Sequence, residues 1–213
     1  MYLTHPSNHL TNIFSSKPYQ GVAPNQAIFL FIGLDANYDA DIAQKPIFSK
    51  VLEYHNDGVA FWNGYGVHHP FLLPGYSGSG KSYHRNFSRI GFRPEHANLV
   101  SFVELLHVPT VGRNKLAVED LEISHLKMLN NAILEGQAKY IFISDKVQRL
   151  MLASREFTWL VEKSEKYEDQ LVIVYRNNSK TVYKHLHFSN YGVFAERMTK
   201  EAKFIGSLLP RVQ

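Results

Sequence analysis

Two short segments carry side chains that could take part in acid–base or electrostatic catalysis. GLDANYDAD (33–41) places Asp35 directly after an apolar run, where a carboxylate can orient or activate a water molecule. HFSNYG (187–192) contains His187, whose imidazole can donate a hydrogen bond to an anion forming on a leaving group. Each segment also has a simpler interpretation. Residues 33–41 have the residue types of a tight turn, and His185 and His187 are then ordinary strand residues on one face. We expect no metal, because this histidine pair lacks a third ligand at a recognisable spacing.

A third segment, GYSGSGKS (75–82), matches the pattern of a phosphate-binding loop, with Lys81 and Ser82 in its last two positions. Such a loop works when a strand leads into it and a helix follows, so that backbone N–H groups surround the phosphates. The residues that lead into this loop, HHPFLLP, are a short run containing two prolines. A flexible loop is therefore the favoured interpretation, and a nucleotide-dependent phosphotransferase using Lys81, with YIFISD (140–145) binding magnesium, is kept as an alternative.

The elements that position these segments follow from hydrophobic patterning. AIFLFIG (27–33) is a continuous apolar run ending in glycine, which is typical of a strand buried on both faces. Further strands are predicted at 99–103, 140–144, 171–175 and 181–188. Helices are predicted at 46–55, 83–90, 119–135 and around 194–209, and one more opens at Asp145, which is the expected cap with Gln148 three residues later. Residues 57–82 are predicted to form one long loop, rich in Gly, Pro, His and aromatic residues.

Strands that alternate with helices predict an α/β fold, a three-layer α/β/α sandwich with a central, mostly parallel four- or five-stranded sheet. Ligands bind beyond the carboxyl ends of the strands in such folds, so the residues after Gly33, Val103, Ser144 and His187 are the candidates for a site.

Composition narrows the class of protein. The chain has 213 residues, no cysteine and a formal charge of +4, and it shows no internal repeat. We expect one domain over 1–213, with 1–26 as an extension packed on it. The absence of a long apolar run and of a signal-peptide pattern predicts a cytoplasmic protein that does not contact the membrane. Residues 1–110 carry seven Lys/Arg and seven Asp/Glu, so the basic excess lies in the second half, which permits a nucleic-acid partner.

Taken together, the segments resemble the uracil-DNA glycosylase superfamily, particularly its mismatch-specific uracil/thymine branch. GLDANY resembles the first motif of the superfamily and puts Asp35 on the position that serves the hydrolytic water. HFSNYG resembles the second motif, usually His-Pro-Ser-Pro-Leu or Asn-Pro-Ser-Gly-Leu, with His187 and Ser189 retained. Tyr191 takes the place of the wedge residue that fills the gap left by the extruded base. Phe188 and Asn190 depart from that motif, which predicts a loop of different shape.

The same resemblance extends over residues 27–192. DGVAF (57–61) is similar to the segment whose Phe stacks on the flipped base, which makes Phe61 the expected platform. SYHRNFSRIGF (82–92) is similar to the helix that follows, and FVELLHVPTVG (102–112) to a stretch ending in Arg-Pro-Thr. Glu104 stands near the position of an asparagine that reads uracil, and we assign base-binding roles to Asn37, Phe61 and Glu104.

The resemblance implies a monomeric DNA glycosylase that extrudes a nucleotide into a pocket and hydrolyses its N-glycosidic bond without metal or cofactor. It implies catalytic roles for Asp35 and His187 and DNA contacts from Ser189, Asn190 and Tyr191. A non-catalytic DNA-binding protein of the same fold is the alternative that the altered second motif favours.

Overall fold

The computed structural model describes residues 2–112, 115–161 and 171–210. Strands in these ranges are β1 (Leu3–Thr4), β2 (Tyr19–Gly21), β3 (Phe29–Gly33), β4 (Asn37–Tyr38), β5 (Val100–Glu104), β6 (Thr110–Val111), β7 (Tyr140–Ser144), β8 (Val172–Arg176) and β9 (Thr181–His185). The α-helices are α1 (Asn8–Ser16), α2 (Phe48–Asn56), α3 (Gly58–Tyr65), α4 (Lys81–Ser88), α5 (Ile123–Leu134), α6 (Asp145–Ser154) and α7 (Ala195–Ser207).

Six strands form the central sheet, in the order β2-β5-β3-β7-β9-β8. The four inner strands run parallel, and β2 and β8 pair antiparallel at the two edges. Helices cover both sides, so the expected three-layer α/β/α fold with a mostly parallel sheet is confirmed. The sheet has one strand more than expected, because the three residues of β2 are too short to produce a recognisable strand pattern.

The two faces of the sheet have different cores, because successive side chains of a strand point to opposite faces. Phe31 of β3 packs with Phe142 and with Phe87 of α4 on a largely aromatic face, which α3 and α7 also cover. Leu30 of the same strand belongs to the opposite core, which is mostly aliphatic and includes Leu129 of α5 as well as residues of α6. The two cores together bury residues 29–32 of β3, which explains its uninterrupted apolar sequence.

The segment 57–82 differs from the prediction of one long loop. Asp57 accepts a hydrogen bond from the backbone N–H of Ala60 and caps α3, which ends at Gly66 in the left-handed region with φ of 70°. The predicted Asp145 cap is also wrong, because Ser144 is the N-cap of α6 and Asp145 is its first helical residue. The N-cap of α6 therefore lies one residue earlier than predicted.

The N-terminal residues form part of a small second sheet, of the main sheet and of a third core. β1 joins β6 and β4 in a small three-stranded sheet, while β2 completes one edge of the main sheet. Leu10 and Phe14 of α1 pack into a third core with Tyr38 and with Val51 of α2. Within the described ranges, no helix combines the length and the apolar character needed to cross a bilayer.

Candidate active site

Segments that follow three parallel strands meet at the carboxyl edge of the central sheet. They enclose a cavity of about 350 Å³, within the size range of pockets for small ligands. Among the residues predicted from sequence, those that line this cavity are Asp35, Asn37, Glu104, His187 and Ser189. Parallel strands explain the convergence, because their carboxyl ends lie at one edge although 152 residues separate Asp35 from His187 along the chain.

Asp35 lies just beyond the end of β3 and is oriented by a residue far along the chain. The hydroxyl of Thr110 donates a hydrogen bond of 2.6 Å to Oδ2 of Asp35. Thr110 is fully buried in β6, and its backbone N–H donates to the carbonyl of Ala36. The small sheet therefore fixes both the backbone around Asp35 and one of its carboxylate oxygens.

Asn37 belongs to the same hydrogen-bonded unit. Its Nδ2 donates to Oγ1 of Thr110 over 3.0 Å and to the carbonyl oxygen of Gly112 over 2.7 Å. Because the Thr110 hydroxyl accepts from Asn37 and donates to Asp35, the two side chains are coupled through one oxygen atom. The side-chain amide of Asn37 thus holds the loop together at the mouth of the cavity, where Asn37 is exposed.

His187 lies two residues beyond the end of β9, on the opposite side of the cavity. Its Nδ1 accepts from the hydroxyl of Ser189 at 2.6 Å and from the backbone N–H of Ser189 at 3.3 Å. Since a backbone N–H can only donate, Nδ1 carries no proton and the neutral ring is protonated at Nε2. Burial lowers the pKa of His187, against the opposing effect of the Asp35 carboxylate, so the ring is neutral at neutral pH.

Helix α4 holds the loop that carries His187. Nδ2 of Asn86 donates to the backbone carbonyls of Phe188 and Asn190, at 2.6 and 3.2 Å. Phe188 is buried and packs against Tyr83 and Phe87. Phe188 therefore anchors the loop to the core, and this packing restricts the loop together with the Asn86 bonds.

Glu104 ends β5 and lies in the cavity wall near Asp35. A Cβ built on Gly33, its partner in the adjacent strand, would lie 2.6 Å from Cδ of Glu104 and closer still to Oε2. The carboxyl group thus occupies space that exists only because residue 33 is glycine. Burial raises the pKa of Glu104 to about 8, and repulsion by the Asp35 carboxylate adds to the effect.

Three histidines that sequence reasoning did not select line the cavity beside Glu104. The rings of His69 and His84 stack with centroids 3.5 Å apart, and His68 Nε2 lies 3.3 Å from His84 Nδ1. Burial lowers the pKa of all three, and that of His68 falls to about 3, so this wall is uncharged at neutral pH. The signal that could have identified them is the His68-His69-Pro70 sequence within the aromatic-rich segment.

Phe61, expected to form the base platform, does not line the cavity. It is 1% exposed within α3, and its ring packs against Tyr54 and Tyr65 with centroids 5.6 and 4.6 Å apart. Phe102 of β5 lines the cavity instead and stacks on Phe31 with centroids 5.6 Å apart. The helical turn of α3 directs the Phe61 side chain into the core.

Asn190 and Tyr191 lie on the rim rather than in the cavity. Asn190 closes a turn, with its backbone N–H and its Nδ2 both donating to the carbonyl of His187 at 2.9 Å. Tyr191 is 85% exposed and Val193 is 92% exposed, so an apolar tip projects into solvent beside the His187 loop. Exposure of this kind is uncommon for large apolar side chains grouped together and typical of contact sites.

The segment 75–82 does not have the architecture of a phosphate-binding loop. A 3-10 helix, Pro70–Leu72, leads into it where that loop requires a strand, although α4 does follow it. Lys81 donates to the carbonyl oxygen of Tyr76 within the segment, and Ser79 donates to Asp39. These contacts hold the segment as one wall of the cavity, which Ser79 and Gly80 line.

A second concave region lies at the opposite edge of the sheet. This open groove of about 870 Å³ runs between α5 and residues 23–25, beside the amino ends of β3 and β7, and none of the residues predicted from sequence lines it. Across residues 2–112, 115–161 and 171–210, no group of three or more His, Cys, Asp or Glu side chains is arranged to hold a metal ion.

Comparison with known proteins yields no relative from which a function could be carried over: no protein-family model, no curated protein and no solved structure matches this chain.

Proposed function

We propose that this protein is a DNA glycosylase-like hydrolase, which cleaves the N-glycosidic bond of a flipped uracil or another modified or mismatched base in DNA. One observation carries the proposal. Asp35 and His187, which come from loops after two different strands, line the same cavity, and each is oriented by hydrogen bonds from its own surroundings. Breaking this bond builds positive charge on the sugar and negative charge on the base, and the pair offers one group for each.

Asp35 acts on the sugar side of the reaction. Its carboxylate stabilises the positive charge that develops on the sugar and positions the water molecule that attacks the same carbon. The bond from Thr110 to Oδ2 restricts rotation of this carboxylate, so the group is oriented before substrate binds.

His187 acts on the base side. Its Nε2–H donates a hydrogen bond to the oxygen of the departing base as that oxygen gains negative charge. The Ser189 contacts at Nδ1 hold the tautomer that carries this proton. The lowered pKa of His187 keeps the ring neutral, so it stabilises the departing anion as a hydrogen-bond donor without itself transferring a proton.

The surroundings of the cavity fit a DNA strand. Tyr191, exposed beside the His187 loop, can enter the space vacated by an extruded base. Helix α6 begins at the end of β7, so its amino terminus and Lys146 lie at the same edge of the sheet as the cavity, in a position to bind phosphate. Lys184 of β9 lies near this edge as well, where its ammonium group pairs with Asp145 at 3.5 Å.

The test uses labelled DNA that carries uracil opposite guanine, opposite adenine or in a single strand, followed by alkaline cleavage of abasic sites. We expect cleavage by the wild-type protein and a loss of at least ~100-fold in Asp35→Asn, with DNA binding retained. Asp41→Asn is the matched control, because Asp41 is exposed and pairs with Lys45 outside the cavity. Equal cleavage by Asp35→Asn contradicts the mechanism, and DNA binding without cleavage of any modified base indicates a non-catalytic protein.

A further inference from the structure

Glu104 has an unusual position for an acidic residue. Its carboxyl group lies against Gly33 in the wall of the cavity, and a Cβ at residue 33 would collide with it. Its backbone carbonyl accepts a hydrogen bond from Nε2 of His125 at 2.7 Å, which anchors the end of β5. The carboxyl group therefore lies in the cavity wall against Gly33, and the end of β5 that carries it is anchored by His125.

The titratable groups that line the cavity with this carboxyl come from several elements. Asp35 follows β3, Tyr38 lies in β4, and Tyr54 lies in α2. His68 and His69 precede α4, which contributes Tyr83 and His84, and His187 follows β9. Among the described residues that line the cavity, none is Lys or Arg. The surroundings thus hold a neighbouring carboxylate, neutral histidines and tyrosines, an environment that disfavours a second negative charge.

We propose that Glu104 works as an uncharged carboxylic acid and is the residue that reads the base, selecting bases with a carbonyl oxygen next to a ring N–H, such as uracil or hypoxanthine. This inference rests on the proposed function. An uncharged carboxyl has one O–H donor and one carbonyl acceptor, which pair with the carbonyl oxygen and the N–H of such a base.

The ionised form of Glu104 would select a different kind of base. A carboxylate has only acceptors, so it repels a base carbonyl and fits an edge with two N–H donors, such as that of guanine. The pKa of about 8 for Glu104 keeps the acid uncharged at neutral pH. The neighbouring tyrosines and histidines stay neutral above that pH, because burial raises the pKa of Tyr38, Tyr54 and Tyr83 and lowers that of the histidines. Loss of base recognition near pH 8 is therefore assigned to Glu104.

The test measures binding, so it does not depend on catalysis. The probe is DNA with one fluorinated, non-hydrolysable deoxyuridine, and its affinity is compared with that of the same duplex without uracil, from two pH units below to one unit above the pKa of about 8. We expect the preference for the uracil duplex to fall about tenfold at the upper limit in the wild type. Glu104→Gln keeps a donor and an acceptor at every pH, so its preference should stay constant and should correct for ionisation of the base itself.

Parallel pH profiles for the wild type and Glu104→Gln would overturn the inference. A second measurement, the infrared band of a protonated carboxyl, decides the charge state in the free protein. The band should be present at neutral pH in the wild type and missing in Glu104→Gln, and its absence from the wild type would also overturn the inference. If the protein prefers the uracil duplex with the expected pH profile but does not cleave uracil-containing DNA, only the hydrolytic function is contradicted.

Discussion

Gly33 and Glu104 are partners in the parallel ladder between β3 and β5, and the carboxyl group of Glu104 occupies the space where any other residue at position 33 would carry a Cβ. The glycine is required there for space, since its φ lies outside the left-handed region. Gly33 therefore has two effects at this edge of the sheet. It ends the strand before Asp35, and it admits the carboxyl group of the neighbouring strand into the cavity wall.

Replacing Gly33 by alanine should displace the Glu104 carboxyl while leaving the strand intact. A shift of about 1 Å in a positioning group can cost about 100-fold in rate, so we expect a loss of that order in single-turnover cleavage. Gly64→Ala is the matched control, because Gly64 lies in α3 with open space around its Cβ position and alanine favours helix. Normal cleavage by Gly33→Ala would show that the position of Glu104 does not matter.

Removing the Thr110 hydroxyl should impair the catalytic function of Asp35 without changing Asp35 itself. Thr110→Val keeps the shape of the side chain but removes the 2.6 Å bond to Oδ2 of Asp35 and leaves the Asn37 amide without that acceptor. A hydrogen bond to a charged group contributes about 1.5–3 kcal/mol, so we expect a tenfold to hundredfold lower rate of cleavage. Thr110→Ser retains the hydroxyl and should retain most of the rate. The two variants cleaving equally well would contradict the role of this bond.

Glu104 should make the folding stability depend on pH. Its pKa rises from an ordinary value of 4.5 to about 8 on folding, so between these values the folded protein holds a proton that the unfolded chain has released. The contribution of this group to the free energy of unfolding therefore falls as pH rises from about 4.5 to about 8. Glu104→Gln cannot ionise, so its stability relative to the wild type should increase over that window. Urea unfolding of both proteins at each end of the window measures this, and a constant difference would argue against the raised pKa.

Substitutions of Phe61 and Phe102 should have different effects, the first on folding stability and the second on base binding. Phe61→Leu removes ring contacts with Tyr54 and Tyr65 and should lower the free energy of unfolding by about 1 kcal/mol with base binding unchanged. Phe102→Leu changes the cavity wall, and stacking of a base on an aromatic ring contributes about 1–3 kcal/mol, so affinity for the non-hydrolysable uracil duplex should fall about tenfold or more. Weaker binding by Phe61→Leu alone would restore Phe61 as the platform.

The sequence alone determined the fold class of this protein. Continuous apolar runs such as 27–33 and 140–144 identify buried strands, because a parallel strand covered on both faces needs apolar side chains throughout. Once the strands are parallel, their carboxyl ends share one edge, and this geometry is sufficient to bring Asp35 and His187 towards each other. Their roles in catalysis remain predictions that the experiments above test.

Only the tertiary structure decided what surrounds those two residues. The direction of Phe61 depends on where α3 packs, and the presence of His68, His69 and His84 in the cavity depends on how 66–88 folds over the sheet. The charge state of Glu104 depends on burial and on the distance to Asp35, which lies 69 residues earlier in the chain. Such properties arise from contacts through space, and no local pattern of residue types encodes them, because the same glutamate at the end of an exposed strand would be ionised.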